Sequence, residues 1–274
     1  MPRYLLLFAA LPAIAMSLWL MQNADAPRSA LILQAVVAGV AAVAYVVVTR
    51  VRRVERRRDR QWLALVVALT MFVPLRGDAG GGPERWIVLG GFRLYISAVV
   101  LPLMLLVLGA SLRPHSSSSV AAVMVAAAEL VLQPDAAQLT AFALPMLFLV
   151  ISELRGLSRV GLLAVLLSSV VVVWRLPDPL APVRYVEGVF VLAADASSLA
   201  LVGALLFAAL PVAAFAWIGR TQRTPGALAV ALYYATLFAL APLQVTPVPL
   251  LGFGTGPVLG YFLVSAFMSS DHRS

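Results

Sequence analysis

Carboxylates are the reactive groups that this sequence offers in a suggestive arrangement. Asp178, Glu187 and Asp195, three of its twelve acidic residues, fall in the stretch RLPDPLAPVRYVEGVFVLAADASS, residues 175–198. A carboxylate within reach of a hydroxyl proton serves as a general base. Glu187 is the candidate, because Tyr185 to Ala194 is otherwise apolar and reads as a short helix dipping toward a membrane. On such a helix Arg184 lies three residues away, where it would pair with Glu187 and favour the ionised form. Asp195, with Ser197 or Ser198 beside it, is placed to cap the next helix. Two further acids stand apart. Asp135 follows Pro134 and reads as the N-cap of a helix. Glu129 lies in an apolar run, where a charge costs at least roughly 2.5–3.5 kcal/mol, so it needs a partner, structural or functional. The sequence has no cysteine, which excludes thiolate chemistry, and its two histidines, His115 and His272, sit in short polar connections. A histidine metal site is not expected.

The elements that must position these groups are membrane helices. The chain has 274 residues, 62% hydrophobic and 12% charged, with mean hydropathy +0.97. A soluble domain is about 25% charged, so there is too little polar surface here to cover one. The class is all-α: a polytopic transmembrane bundle in a single domain, 1–274. About ten helices are expected (range 8–10), near 4–21, 30–49, 61–76, 92–112, 119–133, 137–153, 159–174, 198–218, 226–242 and 249–268. Residues 1–26 also fit a cleavable signal, with Ala24-Asp25-Ala26 as the cleavage-like site.

All 20 basic residues are arginines. With the N-terminus inside, 14 arginines are cytoplasmic, seven of them between Arg50 and Arg60, and six are external. Basic loops stay inside, so this orientation is expected, with both termini cytoplasmic. Residues 50–60 then form a cytoplasmic loop anchored at anionic lipid rather than a nucleic-acid surface. Residues 175–198 form an external loop, and 77–95 an external interfacial segment with Trp86 and Tyr95 at the interface. The last external turn, VTPVPLLGFGTGPVLGY, residues 245–261, is rich in glycine and proline. It fits either irregular backbone lining a cavity or close packing through small residues.

Four stretches resemble the FtsW/RodA/SpoVE (SEDS) family of cell-shape and division glycosyltransferases. Gly82-Pro83-Glu84-Arg85-Trp86-Ile87-Val88-Leu89-Gly90-Gly91-Phe92 resembles its G-A-R-R-W-hydrophobic-x-L-G-x-F signature. Gln133-Pro134-Asp135 resembles its Q-P-D-x-G-T element. Val186 to Asp195 is similar to T-D-F-I-F-A-hydrophobic-x-x-E-E, and Val248 to Pro257 to L-P-F-x-S-Y-G-G-S-S. The resemblance spans roughly residues 61–268.

It implies a polymerase of lipid II, the undecaprenyl-linked disaccharide-peptide, in the bacterial inner membrane during division or shape maintenance. A class B penicillin-binding transpeptidase is the implied partner, and a divalent metal is allowed by the resemblance. Glu187 stands at the position of the family's aspartate base. Arg85, Trp86, Asp135, Arg184 and Asp195 are the implied substrate-binding residues, Arg85 and Arg184 because an arginine fork suits a pyrophosphate. The departures are specific. Glu for Asp moves the carboxylate by one methylene, and a displacement of about 1 Å costs on the order of 100-fold. Ser97 matches the serine of the family's Q-P-S-E, but Ala98 replaces its glutamate and Leu101 stands where a lysine is expected. Two alternatives follow: a catalytically inactive scaffold of a division or elongation complex, or a lipid-linked precursor flippase.

Overall fold

A long apolar segment crosses a bilayer as a helix because a helix satisfies its own backbone hydrogen bonds. The computed structural model describes residues 4–51, 57–74, 85–89, 92–113, 116–178 and 180–270. Its helices in chain order are α1 (Leu5–Asn23), α2 (Arg28–Val51), α3 (Arg57–Leu69), α4 (Ile96–Ser111), α5 (Ser117–Leu132) and α6 (Ala136–Glu153). They continue with α7 (Gly156–Val173), the short α8 (Val189–Ala196), α9 (Ser198–Thr221), α10 (Pro225–Leu240) and α11 (Thr255–Ser270). Between α3 and α4, strands β1 (Trp86–Leu89) and β2 (Phe92–Tyr95) pair antiparallel.

Among the described residues, the ten helices other than α8 correspond to the ten expected spans, and the chain is a polytopic membrane bundle. Six of them are long and apolar enough to cross a membrane, and α4, α5, α11 and the segment Trp62–Phe72 are shorter apolar helices. Nearly all of α4 is buried, and it packs against α3, α6, α10 and α11. By contrast α2 exposes Ile32, Val36, Val40, Val43 and Val47, a stripe spaced three or four residues apart. Such a face has no place in water and suits lipid.

Two helices start several residues later than expected. The span read as 92–112 begins with β2, and α4 starts only at Ile96. The alternating pattern Phe92-Arg93-Leu94-Tyr95 is the reason: it has a strand period that a hydropathy window smooths away. Trp86–Leu89 is therefore the other strand of a hairpin. The final span begins at Thr255 rather than 249, because the prolines and glycines before it hold a turn. A Cβ on Gly260 would lie 2.0 Å from the carbonyl oxygen of Ala98 and one on Gly256 2.4 Å from that of Tyr95. Those glycines let α11 press onto the start of α4, which is the close packing read as one alternative for this stretch. The basic run from Val51 to Arg60 falls outside the described residues in backbone or side chain, as do residues 75–84 and 90–91.

Candidate functional site

The site assembles at one end of the bundle from four connections. Arg85 precedes β1, and its register pairs Trp86 with Tyr95, whose rings lie 5.9 Å apart. The Tyr95 hydroxyl donates to Asp135 Oδ2. Asp135 caps α6 as expected, its Oδ1 accepting from the Gln138 backbone N–H at 3.2 Å. Gln138 Oε1 in turn accepts from the Tyr233 hydroxyl of α10 at 2.7 Å.

Arg85 ties these pieces to the external loop. Its Nε donates to the carbonyl of Gln133 at 2.8 Å, one terminal nitrogen to Asp178 Oδ2 at 3.0 Å, and the other to the carbonyl of Pro134. The residue is only 4% exposed. Asp178 Oδ1 accepts from the Leu180 N–H at 3.1 Å, so both of its oxygens are engaged. An arginine fork with three acceptors from two other chain segments is a geometric clamp.

Glu187 arrives on a tight turn. The Val183 carbonyl accepts from the N–H groups of Val186 and Glu187 at 2.9 and 3.0 Å. Glu187 Oε2 accepts from the Val183 N–H at 2.8 Å. The turn is pinned to the stretch before α11: Val248 N–H donates to Val186 O at 3.1 Å and Phe253 N–H to Tyr185 O at 2.8 Å. A Cβ at Gly252 would meet Val186 O at 2.2 Å, so this approach needs glycine. Gln34 of α2 holds the same stretch, donating to Gly252 O and accepting from Gly254 N–H, both at 3.3 Å.

Together these segments enclose a cavity of about 240 Å³. It is lined by Arg85, Trp86, Tyr95 and Asp178, with Leu180, Ala181 and Pro182. Glu187, Leu243, Gln244, Val245 and Pro247 complete the lining. The stretch before α11 thus lines a cavity with its first residues and packs closely with its later ones. Burial pushes the Glu187 pKa up, opposed by the N–H groups of Val183 and Glu187 itself and reinforced by the charge of Asp178.

Of the residues singled out in sequence, Glu187, Arg85 and Trp86 share this pocket, and Asp135 lies behind it through Tyr95. Arg184 and Asp195 do not line it; they pair with each other at 2.5 Å in an exposed position. The expected Arg184–Glu187 pair does not form, because residues 184–187 make a turn and the helix begins only at Val189. Ser197, not Asp195, caps α9, accepting from Ala200 N–H at 3.0 Å. Glu129 finds its partner in Gln133, whose Nε2 donates to Glu129 Oε2 at 3.3 Å. Asp178 and Tyr95 are named from sequence without a role in the site, and Gln244 is not named. Asp178 carried the readable signal of an acid among three prolines, whereas nothing in sequence paired it with Arg85.

Among the described residues no group of three or more histidines, aspartates or glutamates could hold a metal ion. Among the described residues two carboxylates line the pocket, Asp178 and Glu187, and both oxygens of Asp178 are already engaged, a set that does not fit a protein-built metal site. Ala98 and Leu101 are buried in α4, so no polar group stands at either position.

The fold has solved counterparts. The chain is similar to the crystal structure of the rod shape determining protein RodA of Thermus thermophilus, with TM-score 0.69 and 18% identity over 99% of this chain and 98% of that one. An aspartate-to-alanine mutant of that protein matches with TM-score 0.67, 18% identity and the same coverage. The chain therefore has the RodA fold along its whole length. No protein-family profile and no curated protein sequence matches it.

Proposed function

We propose that this protein works in peptidoglycan synthesis as a SEDS-type glycosyltransferase that polymerises lipid II at the external face of the bacterial inner membrane. The observation that carries the reading is Glu187: a half-buried carboxylate in a pocket with Trp86, on a fold shared with a rod shape determining protein. The pocket is lined from the connections preceding α4, α9 and α11, all three external on the arginine count, which is consistent with that sidedness.

In this reading Glu187 removes the proton from the acceptor sugar hydroxyl as its oxygen bonds to the anomeric carbon of the donor. The bond from that carbon to the lipid pyrophosphate breaks, the lipid pyrophosphate leaves, and Glu187 holds the proton. A carboxylate whose pKa is raised is a better proton acceptor in its ionised form. Arg85 clamps the walls, its charge offset by Asp178. Arg184, more exposed, is the better placed of the two for a phosphate arriving from outside. Asp195 pairs with Arg184, and a class B penicillin-binding transpeptidase is the partner.

A second reading is a scaffold without turnover, favoured by the apolar burial at Ala98 and Leu101. Proteoliposomes holding the protein, lipid II and a class B transpeptidase separate the two. The enzyme reading expects glycan polymer from wild type and none from Glu187→Ala. Wild type silent with several partners and divalent metals sinks it in favour of the scaffold. Lipid II crossing the vesicle wall without polymer points to a flippase instead.

A further inference from the structure

Most polar side chains lining the pocket already have partners within the protein. Arg85 donates to three acceptors, Tyr95 to Asp135, and both oxygens of Asp178 accept. Gln244 differs. Its side-chain amide makes no hydrogen bond with any described residue, although it lines the pocket. Its backbone is also unusual. It follows the 3₁₀ turn Ala241–Leu243 with φ 55° and ψ 33°, held by its N–H on the Ala241 carbonyl at 3.0 Å.

A left-handed conformation costs a non-glycine residue on the order of 1 kcal/mol and persists where the surroundings impose it. Glycine or asparagine would sit there more easily. A long amide in that position is therefore informative about the pocket rather than about the turn. A primary amide presents two donors and one acceptor, the complement of an acetamido group, which carries one N–H and one carbonyl. Val245, Pro247 and the Trp86 indole supply apolar wall for the methyl of such a group. The charge balance points the same way. Arg85 is offset by Asp178, and Glu187 adds a further negative charge, so an uncharged sugar suits this pocket better than a phosphate.

We infer that Gln244 is the specificity-determining residue of this pocket, pairing its amide with the acetamido group of the acceptor sugar. The inference rests on the reading of Glu187 as the base acting on that sugar. It gives the pocket a preference for an N-acetylated sugar over one bearing a hydroxyl at the same carbon.

The test is equilibrium binding of two probes to the detergent-solubilised full chain: a lipid-linked disaccharide with its acetamido groups, and the same compound with hydroxyls in their place. Wild type is expected to prefer the first about tenfold, the worth of one to two hydrogen bonds. Gln244→Gly should reduce the preference to near one while its unfolding temperature holds or rises, because glycine relieves the left-handed strain. Gln244→Asn, one methylene shorter, should retain part of it. A wild type without preference, or a glycine variant that keeps it in full, overturns the inference. So does a glycine variant that unfolds at a markedly lower temperature, which would make Gln244 structural. Because binding needs no turnover, polymer-free wild type that still shows the Gln244-dependent preference would count against the enzyme reading alone. Polymerising wild type with an unaltered glycine variant would count against Gln244 alone.

Discussion

Arg85 and Glu187 line the same pocket in opposite circumstances. Arg85 is buried, and its fork is held by Gln133, Pro134 and Asp178. Glu187 is half-buried, is met among the described residues only by the backbone N–H groups of Val183 and Glu187 itself, and has a carboxyl that burial holds above its ordinary pKa. One side chain builds the walls; the other has chemistry left to do. A residue type that suits phosphate binding or catalysis in sequence therefore says little until its partners are counted. The contrast is open to test because the two kinds of residue respond differently to substitution.

The largest effect is expected at Glu187. Glu187→Gln should lower polymerisation about 10²- to 10⁴-fold, the usual contribution of a general base. Its stability should not fall, and the sign follows from the raised pKa. The folded state binds this proton more tightly than the unfolded one. The stabilisation from that proton is full below the ordinary glutamate pKa and is lost as pH rises through the folded value. Near neutral pH the glutamine variant escapes that loss, so its unfolding temperature should match or exceed that of wild type. For activity the sign reverses. The base must be ionised, so wild-type rate should fall on acidification at a pH above the ordinary glutamate range, which a pH–rate profile will locate. A glutamine variant that unfolds early would place Glu187 among the wall residues.

Arg85→Met should do the converse. It keeps the apolar stem but leaves Asp178 and Asp135 without their cation, and breaking a buried pair in this way costs about 3–5 kcal/mol. Thermal unfolding in detergent measures it. Normal unfolding with lost polymer would instead move Arg85 from the wall to the substrate.

Much of this division could be read from the sequence, and the remainder had physical reasons for staying hidden. Ten apolar runs gave ten helices, since in lipid the backbone has few alternatives. Asp135 beside Pro134 announced a cap, and Glu187 stood out as a lone acid in an apolar stretch. The partners did not stand out. Arg85 meets Asp178 across 93 positions and Tyr95 meets Asp135 across 40, contacts that no local period encodes. A helical spacing pairs Arg184 with Glu187, but the chain turns on the Val183 carbonyl there and the helix begins only at Val189. Gln244 was silent because its signal is a backbone angle.

A smaller effect is expected at Tyr95. Tyr95→Phe removes the hydroxyl that donates to Asp135 and leaves a buried carboxylate oxygen short of one donor. Loss of a bond to a buried acceptor costs about 1–3 kcal/mol. Asp135 retains the Gln138 N–H, so the α6 cap should survive and the loss should fall at the low end. A loss as large as that of Arg85→Met would show that the tyrosine, rather than the arginine, holds the wall together.

The smallest effect is expected at the exposed pair. Arg184 and Asp195 are 62% and 52% exposed, and such pairs contribute about 0–1 kcal/mol because water screens them and both side chains lose freedom. Asp195→Asn should therefore barely shift thermal unfolding, in contrast to any substitution that touches Arg85. Its interest lies in what it does to Arg184. Once released from Asp195, the guanidinium keeps its charge and gains freedom to meet an anion. If Arg184 receives the pyrophosphate, Asp195→Asn should leave the KM for lipid II equal or lower, and Arg184→Gln should raise it with little change in kcat, the mark of a group that binds ground and transition states alike. Both variants raising KM together, at unchanged stability, would mean that the ion pair itself shapes the entrance and that the exposed residues are wall after all.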